Sequence, residues 1–345
     1  MTGDTLSDLL RAVRLRGAIF FHVKASSPWV VEAPEARAVI PGVLPGVDHM
    51  MEFHIVARGS CWAAIVGQEP IRLEAGDVVL FPQGDGHVMS SAPGMRGPAP
   101  DTEVFFTPEP RQLPFVVSAG DGTGSTRADD EGATLICGFL GCDARPFNPL
   151  LASMPRALRV PGVAAEGRSW IASLLGLVVD ESNRRQPGGE AVLERMSEML
   201  FVEVLLRYVD ALPADQTGWL AGMKDPAVGR ALALLHGRPA EPWTLERLAD
   251  EAAVSRSTLH ERFAQLLGQP PMQYLAQWRM QLAAARLRDT DAKVLDVAMD
   301  VGYENEAAFA RAFRRSVGES PAAWRRARRA PAVDGQAGSR NKRIG

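Results

Sequence analysis

Short apolar runs bounded by glycine or proline recur at close intervals through the first third of the chain. Examples are "GAIFFHV", "FHIVARG", "CWAAIVG" and "DVVLFP". This punctuation is typical of the short strands of a β-sandwich or barrel. Residues 92–133 are rich in Gly, Pro and Asp, so we expect a long loop there with one strand or short ordered segment near 104–106. "ATLICGFLGC" then returns to the strand pattern.

From about residue 166 the apolar residues recur at spacings of three and four, which predicts helices. The stretch "EAVLERMSEMLFVEVLLRYVDAL" is apolar on a wide face. A face of this width packs either inside its own domain or against a second copy of the chain, and the sequence leaves both open. We expect a homodimer through this helix and the helix at 167–183. Charged replacements of Leu200 and Leu205 are then expected to give a monomer.

Residues 243–268 have the pattern of two short helices joined by a tight turn. Thr244 and Ser255 are suited to cap these helices, because their hydroxyl groups can accept hydrogen bonds from free backbone amides. Leu259 and Phe263 are spaced to lie on the inner face of the second helix. The stretch therefore predicts a helix-turn-helix unit.

The same pattern recurs at residues 293–318, where Gly302 supplies the turn and Phe309 and Phe313 anchor the second helix. A long amphipathic stretch, "PPMQYLAQWRMQLAAARLRDT", separates the two units. A helix of about 20 residues spans about 30 Å, close to the roughly 34 Å of one turn of B-DNA. The spacing therefore predicts two units able to enter successive major grooves of one duplex.

Charge is divided unevenly along the chain, although the net charge is only −3. Residues 1–225 carry 19 Lys and Arg against 28 Asp and Glu, a net of −9. Residues 226–330 carry 16 against 12, a net of +4, and residues 331–345 carry 3 against 1, a net of +2. The basic C-terminal half is the part suited to bind a polyanion.

The C-terminal motifs resemble the AraC family of transcriptional regulators. The resemblance covers residues 226–329 and rests on "LGQPPMQYLAQWRMQLA" and "GYENEAAFARAFRRSVGESPAAWRR". It implies a sequence-specific DNA-binding regulator in which the second helix of each unit enters the major groove. An activator is the expectation, although the residues themselves leave repression open. The DNA-contacting residues that this implies are Arg256, Ser257, Thr258, His260, Glu261, Arg262, Glu304, Asn305, Glu306, Arg311, Arg314 and Arg315.

These side chains suit the grooves of DNA. Arginine can bind guanine through two hydrogen bonds, asparagine can bind adenine, and arginine also holds phosphates. The alternative for Arg314 and Arg315 is a solvated helix face. Glu304 and Glu306 can accept from cytosine, cap the helix or exclude phosphate.

Two N-terminal stretches resemble signatures of the cupin superfamily. "GDVVLFPQGDGH" matches the second signature and ends at His87, and "EFHIVARG" matches the end of the first. The usual histidine pair is missing, because residues 47–51 are "VDHMM". "CGFLGCDARPFNPLLASMP" resembles the cupin-type N-terminal domain of a subset of AraC-family regulators. Gly84 and Gly86 are expected to turn the chain at positive φ.

A metal site is one interpretation of the barrel. Glu52 and His54 alternate with Phe53, so both face the same side of the strand. In a cupin that side is the interior, which His87 and Cys137 also face. A set of His54, His87 and Cys137 suits Zn²⁺ or another borderline-soft ion. The alternative is that these residues belong to an ordinary core.

The predicted fold class is a multidomain α+β protein. It has a cupin-like β-barrel, a helical linker and an all-α tandem helix-turn-helix domain. The three cysteines make no disulfide framework, and no signal peptide or membrane-length apolar run is visible, so a cytoplasmic location is expected. The expected partners are double-stranded DNA, a small-molecule, metal or oxidant effector, RNA polymerase and a second copy of the chain. The expected boundaries are 1–163, 164–224 and 225–330, with a disordered tail at 331–345.

Two other functions compete with a regulator. One is a cupin-type metalloenzyme fused to a DNA-binding module, which would need a complete metal set and a catalytic base in the barrel. The other is an architectural DNA-binding protein that senses nothing, which would leave the β domain without a role. We therefore expect a regulator and not an enzyme.

Overall fold

The computed structural model describes residues 4–100, 102–106, 114–120, 132–162, 170–184, 187–213 and 215–329, so the expected tail at 331–345 lies outside the described residues. The strands are β1 (Arg16–Ala25), β2 (Val30–Ala33), β3 (His49–Arg58), β4 (Ser60–Ile65), β5 (Ile71–Glu74), β6 (Val78–Phe81), β7 (His87–Ser90), β8 (Phe115–Ala119), β9 (Ala133–Cys142) and β10 (Leu158–Val160). The helices are α1 (Thr5–Ala12), α2 (Ile40–Val43), α3 (Pro149–Ser153), α4 (Trp170–Arg184), α5 (Gly189–Ala211), α6 (Trp219–Lys224), α7 (Pro226–Gly237), α8 (Leu245–Glu251), α9 (Arg256–Leu267), α10 (Pro271–Asp289), α11 (Val294–Asp300), α12 (Glu306–Val317) and α13 (Pro321–Arg329). Short 3₁₀ turns lie at Ala36–Ala38 and Glu103–Phe105.

The strands form two sheets that share one apolar core. The six-stranded sheet has the order β10-β6-β3-β9-β1-β8, and the four-stranded sheet has the order β2-β7-β4-β5. Val56 and Leu135 of the larger sheet pack with Leu73 and Met89 of the smaller one. The opposite face of β3 carries Phe53 into a second core beneath the helices. Strands β3 and β9 are thus covered on both faces, which explains their nearly continuous apolar sequences.

The described residues within 92–133 include a strand, although the sequence predicted a loop at that position. This strand is β8, which pairs in parallel with β1, with Phe115 opposite Phe21. The valines of "FVVSA" favour a strand, but their Gly- and Pro-rich surroundings concealed it in the sequence. The short ordered segment expected near 104–106 is the 3₁₀ turn, and it buries Phe105 against Phe139.

Helix α5 packs across the outer face of the larger sheet. Its Leu200 and Phe201 line the same small cavity as Phe53 and Leu80. Leu200 and Leu205 are 2% and 0% exposed, so the expectation that charging them would only separate subunits is wrong. They belong to the core of their own chain, because the sheet determines which part of the wide apolar face points inward.

The two helix-turn-helix units predicted from the sequence are present. Helices α8 and α9 form the first, α11 and α12 form the second, and α10 lies between them. The expected caps are confirmed: Thr244 accepts from the Arg247 amide, and Ser255 accepts from the Thr258 amide. No helix in the described part of the chain is long and apolar enough to cross a membrane.

Candidate functional site

The second helix of each unit, here called a recognition helix, presents a polar outer face. On the first recognition helix, α9, the apolar Leu259 and Phe263 are fully buried against the domain. Thr258 is half-buried, and the other residues that the sequence singled out are exposed, namely Arg256, Ser257, His260, Glu261 and Arg262.

The second recognition helix, α12, repeats this arrangement. Phe309 and Phe313 have no exposed surface and hold the helix against α10 and α13. Arg311 lies on the side of the helix opposite these two rings, as the 3.6-residue repeat requires. All of the predicted residues of this unit are exposed: Glu304, Asn305, Glu306, Arg311, Arg314 and Arg315.

Two of the predicted contact residues also hold their own helices in place. The Asn305 side chain caps α12 by accepting a 2.8 Å hydrogen bond from the Ala308 amide. The Thr258 hydroxyl lies 2.8 Å from that of Ser255, the cap of α9. Their oxygen atoms are therefore partly engaged before any DNA is present.

The arginines of the two recognition helices differ in their partners. Arg256 donates to Glu246 at 2.6 Å, and Arg262 pairs with Asp225, which also caps α7. Arg311, Arg314 and Arg315 have no carboxylate partner within the described residues. The uncompensated positive charge is therefore concentrated on the second recognition helix.

A second site lies between the two sheets of the N-terminal domain. Among the described residues, one group has metal-ligand spacing: Glu52, His54 and His87, whose ligand atoms all lie within 4.8 Å of one another. All three side chains are buried. Glu52 and His54 face the interior because they alternate with Phe53 on β3, as the sequence predicted.

The turn before β7 positions His87. Strand β6 ends at Phe81, immediately before Pro82, and Gly84 adopts a positive φ of 70°. A Cβ atom at Gly84 would lie 2.7 Å from the Met50 carbonyl oxygen, so this position requires glycine. Gly86 does not adopt positive φ, contrary to expectation. One glycine is thus sufficient to make the turn.

Backbone contacts orient the His87 ring. Its Nδ1 lies 2.9 Å from the Asp85 carbonyl oxygen, which can only accept, so Nδ1 carries the proton and Nε2 is the nitrogen with the lone pair. That Nε2 lies 2.6 Å from Nε2 of His54. A backbone carbonyl that fixes the tautomer in this way is the usual support of a metal-binding histidine.

Burial controls the charges of this cluster. It raises the pKa of Glu52 to about 8 and lowers the pKa of His87 to about 4. The pKa of His54 is also lowered, by burial and then by His87. At neutral pH the carboxyl group and both imidazoles are therefore uncharged, and the 3.8 Å approach of His87 to Glu52 is not an ion pair. Glu52 Oε1 and His54 Nδ1 are buried and have no hydrogen-bond partner among the residues that the structure describes.

Cys137 is not part of this group. It lies opposite His54 in the β3–β9 pairing, but its side chain belongs to the apolar core between the sheets. In its place, the structure brings Glu52 close to the two histidines. The sequence indicated the direction of the Glu52 side chain but did not indicate a role for it. Burial also raises the pKa of the Cys137 thiol, whereas oxidant-sensing thiols are accessible and have lowered pKa values.

Comparisons with known proteins match both parts of the chain. A cupin family model matches residues 4–210, and a helix-turn-helix domain model matches residues 248–327. An AraC-like transcription regulator of Streptomyces lividans is 34% identical over 327 residues, covering 94% of this chain and 98% of that protein. A second AraC-like regulator, of Streptomyces antibioticus, is 32% identical over 329 residues, covering 94% and 98%. The regulator AlkR of Acinetobacter baylyi is 27% identical over 324 residues, covering 93% and 99%.

A cupin domain followed by two helix-turn-helix units defines a DNA-binding transcription regulator. The chain belongs to the AraC family of transcriptional regulators, in the group that carries a cupin-type N-terminal domain. Its relatives over nearly the whole length are regulators, so the metalloenzyme alternative is set aside.

Proposed function

We propose that this protein binds a specific duplex operator through α9 and α12 and regulates transcription according to the state of its cupin domain. The observation that carries this proposal is the pair of exposed recognition helices joined by one continuous helix. Helix α10 has 19 residues, a length of about 29 Å. That length suits two helices that enter major grooves about one turn apart.

The two recognition helices would contribute different contacts to the DNA. Arg311 is central on the exposed face of α12 and is proposed to contact a base, whereas Arg314 and Arg315 flank it and suit phosphates. Within α9, Ser257, His260 and Glu261 would face the groove, with Thr258 beside them. Arg256 and Arg262 would need to leave Glu246 and Asp225 to bind DNA, so their net contribution is expected to be smaller.

In vitro selection from random duplexes tests this division. The wild type should enrich one sequence, and Arg311→Ala should relax the preference at one position. Removal of a base contact of this kind costs about 1–3 kcal/mol. Arg314→Ala should instead weaken binding to every sequence alike. Equal effects of the two variants on specific and non-specific duplexes would contradict the assignment.

We further propose that the cupin domain senses a divalent ion, Zn²⁺ in the first instance, through Glu52, His54 and His87. Two imidazole nitrogens and a carboxylate oxygen are ligands that Zn²⁺ accepts. A cation here would offset the burial of Glu52 and engage its unpartnered oxygen. An effector bound beside the ion is the second element of this proposal, since three protein ligands leave a coordination position free.

Metal content measured on purified wild-type and variant proteins tests the ligand set. We expect about one ion per chain in the wild type and a clear loss in His87→Ala and Glu52→Gln. Cys137→Ala distinguishes the set predicted from the sequence from the set of Glu52, His54 and His87 proposed here, and we expect it to retain the ion. Metal-free wild type, prepared without chelator, would leave these residues as an ordinary core.

Assembly and mode of action complete the proposal. We propose a homodimer through the outer face of α5, where Val192, Met199 and Leu206 are exposed at intervals of seven residues. This heptad spacing is that of helices that pack along one another.

Activation would require contact with RNA polymerase in the cytoplasm, where the DNA target is expected to lie. Transcription in vitro with purified RNA polymerase and the selected operator decides between activation and repression.

A further inference from the structure

The helix between the two helix-turn-helix units also contacts the cupin domain. Two polar side chains of α10, Gln281 and Arg288, extend into that domain and are almost completely buried. They are seven residues apart and therefore lie on the same side of the helix, two turns from each other. The helix that separates the recognition helices is thus one of the elements that dock the DNA-binding domain on the cupin domain.

Gln281 bridges two segments of the cupin domain. Its Nε2 donates to the Ala12 carbonyl oxygen at 3.0 Å, and its Oε1 accepts from the Phe147 amide at 3.1 Å. The side chain has no exposed surface. A buried amide needs both partners, and here both come from the other domain. This contact therefore fits one relative orientation of the two domains.

Arg288 makes the second link. Its guanidinium pairs with Asp143, and both side chains are less than one-tenth exposed. Arg14 of the cupin domain donates to the other Asp143 oxygen at 3.1 Å. A buried ion pair contributes little net stability, but separating its members is costly, so it specifies the geometry of an interface.

The strand that borders the barrel site ends at this interface. On β9, Cys137 lies opposite His54 and Cys142 lies opposite His49. Asp143 is the next residue after Cys142. Strand β3, which carries Glu52 and His54, is thus connected to Asp143 through its direct pairing with β9.

We propose that Gln281 and Arg288 form an interdomain clamp with Ala12, Phe147 and Asp143. Through it, the cupin domain sets the orientation of both recognition helices. The clamp is the route by which a change in the barrel alters operator binding, a step that rests on the proposed sensing function. The alternative is a flexible connection between the domains. In that case the barrel could influence DNA binding only through the linker.

Distances between spin labels in the full-length protein test the clamp. Labels at Glu69→Cys on the cupin domain and Ser316→Cys on α12 both occupy exposed positions. The native thiols are buried and do not compete for the label. We expect one narrow distance distribution in the otherwise wild-type protein. The further change Gln281→Met with Arg288→Met should broaden it at least twofold.

The control is Gln273→Met, the same chemical change at an exposed position of α10. It should leave the distribution narrow. Gln281→Met alone keeps the test available if the double variant fails to fold, as judged by circular dichroism. A broad distribution in the wild type, or an unchanged one in every folded clamp variant, would overturn the proposal.

Zinc titration separates the clamp from the sensing function. In the wild type, saturating Zn²⁺ should change the operator Kd by about fivefold or more, a usual size for such coupling. The clamp variant should bind zinc equally well, but the ratio of its operator Kd values without and with zinc should fall to about one. An equal zinc effect in both proteins overturns the route through the clamp. A wild type that binds no zinc overturns the proposed sensing function, and the spin-label distances still decide the clamp.

Discussion

At the scale of single residues, the turns of the two helix-turn-helix units differ in an informative way. Gly302 turns the second unit at a φ of 81°, whereas Ala253 occupies the left-handed region in the first, at 57°. A left-handed conformation costs an L-residue about 1–2 kcal/mol, and glycine loses about 0.5–1 kcal/mol through its greater freedom when unfolded. Ala253→Gly should therefore raise the free energy of unfolding by about 0.5–1 kcal/mol, measured by chemical denaturation.

The neighbouring residue provides the control for this change. Ala252 has an ordinary φ of −80° and is buried. Ala252→Gly should lower the stability, because it adds conformational freedom to the unfolded chain without relieving strain. If both variants shift the stability in the same direction, the strain assigned to Ala253 is wrong.

His236 predicts a pH dependence of stability. Burial lowers its pKa from 6.5 to about 3, so the unfolded chain binds a proton at pH values where the folded chain does not. This contribution is fully present above pH 6.5 and is lost as the pH falls towards 3. Between pH 7.5 and pH 5 the wild type should lose about 2 kcal/mol more than His236→Phe.

The variant retains part of the surrounding network. The 2.6 Å hydrogen bond that Trp219 donates to the Tyr274 hydroxyl does not involve His236, so we expect it to persist in the variant. Any cost of the lost 2.7 Å contact between His236 and Tyr274 is the same at both pH values and cancels in the comparison. Parallel pH profiles of the two proteins would show that His236 titrates normally in the folded state.

The positions of some of these residues could be predicted from the sequence, and those of others could not. Alternation along β3 and the proline–glycine turn before β7 sufficed to orient His54 and His87, because both are local features. The surroundings of Cys137 could not be predicted in this way. The strand pattern gives the direction of its side chain, but it does not show that the side chain packs in the apolar core. Ala253 gave no signal, because nothing in the pattern marks an alanine at positive φ.

At the scale of secondary-structure elements, α5 shows where periodicity stops being informative. Its wide apolar face predicted a buried helix, but only the sheet beneath it separates the inward Leu200 from the outward Met199. Helices α9 and α12 were easier, because caps, turn and apolar spacing all agree. Strand β8 was missed because its short apolar run lies in a stretch of sequence rich in Gly and Pro.

The outer face of α5 carries the prediction on assembly. Met199→Lys with Leu206→Lys places charges at positions that are 52% and 44% exposed. This should convert a dimer into a monomer without lowering the melting temperature, as measured by sedimentation and circular dichroism. The matched control is Leu200→Lys, which charges a core position and should unfold the chain. A wild type that sediments as a monomer at micromolar concentration would contradict the proposed dimer.

At the scale of the whole molecule, the sequence contained a recognisable pattern for each domain. It contained no pattern that predicted how the two domains dock. The cupin strands and the duplicated helix-turn-helix pattern are local, so they could be predicted separately. Gln281 and Ala12 are 269 residues apart, and no periodicity relates them. The interface that joins sensing to DNA binding could therefore be found only in the folded chain.

The proposed recognition of an operator depends on two recognition helices that bind one duplex together. Hydroxyl-radical footprinting of the full-length protein on a selected operator tests this most directly. Each protomer should protect two segments about 10 base pairs apart. Arg311→Ala should weaken one segment, His260→Ala should weaken the other, and protection should fade steeply as salt rises. A single protected segment per protomer, or protection that does not respond to either variant, would contradict the account.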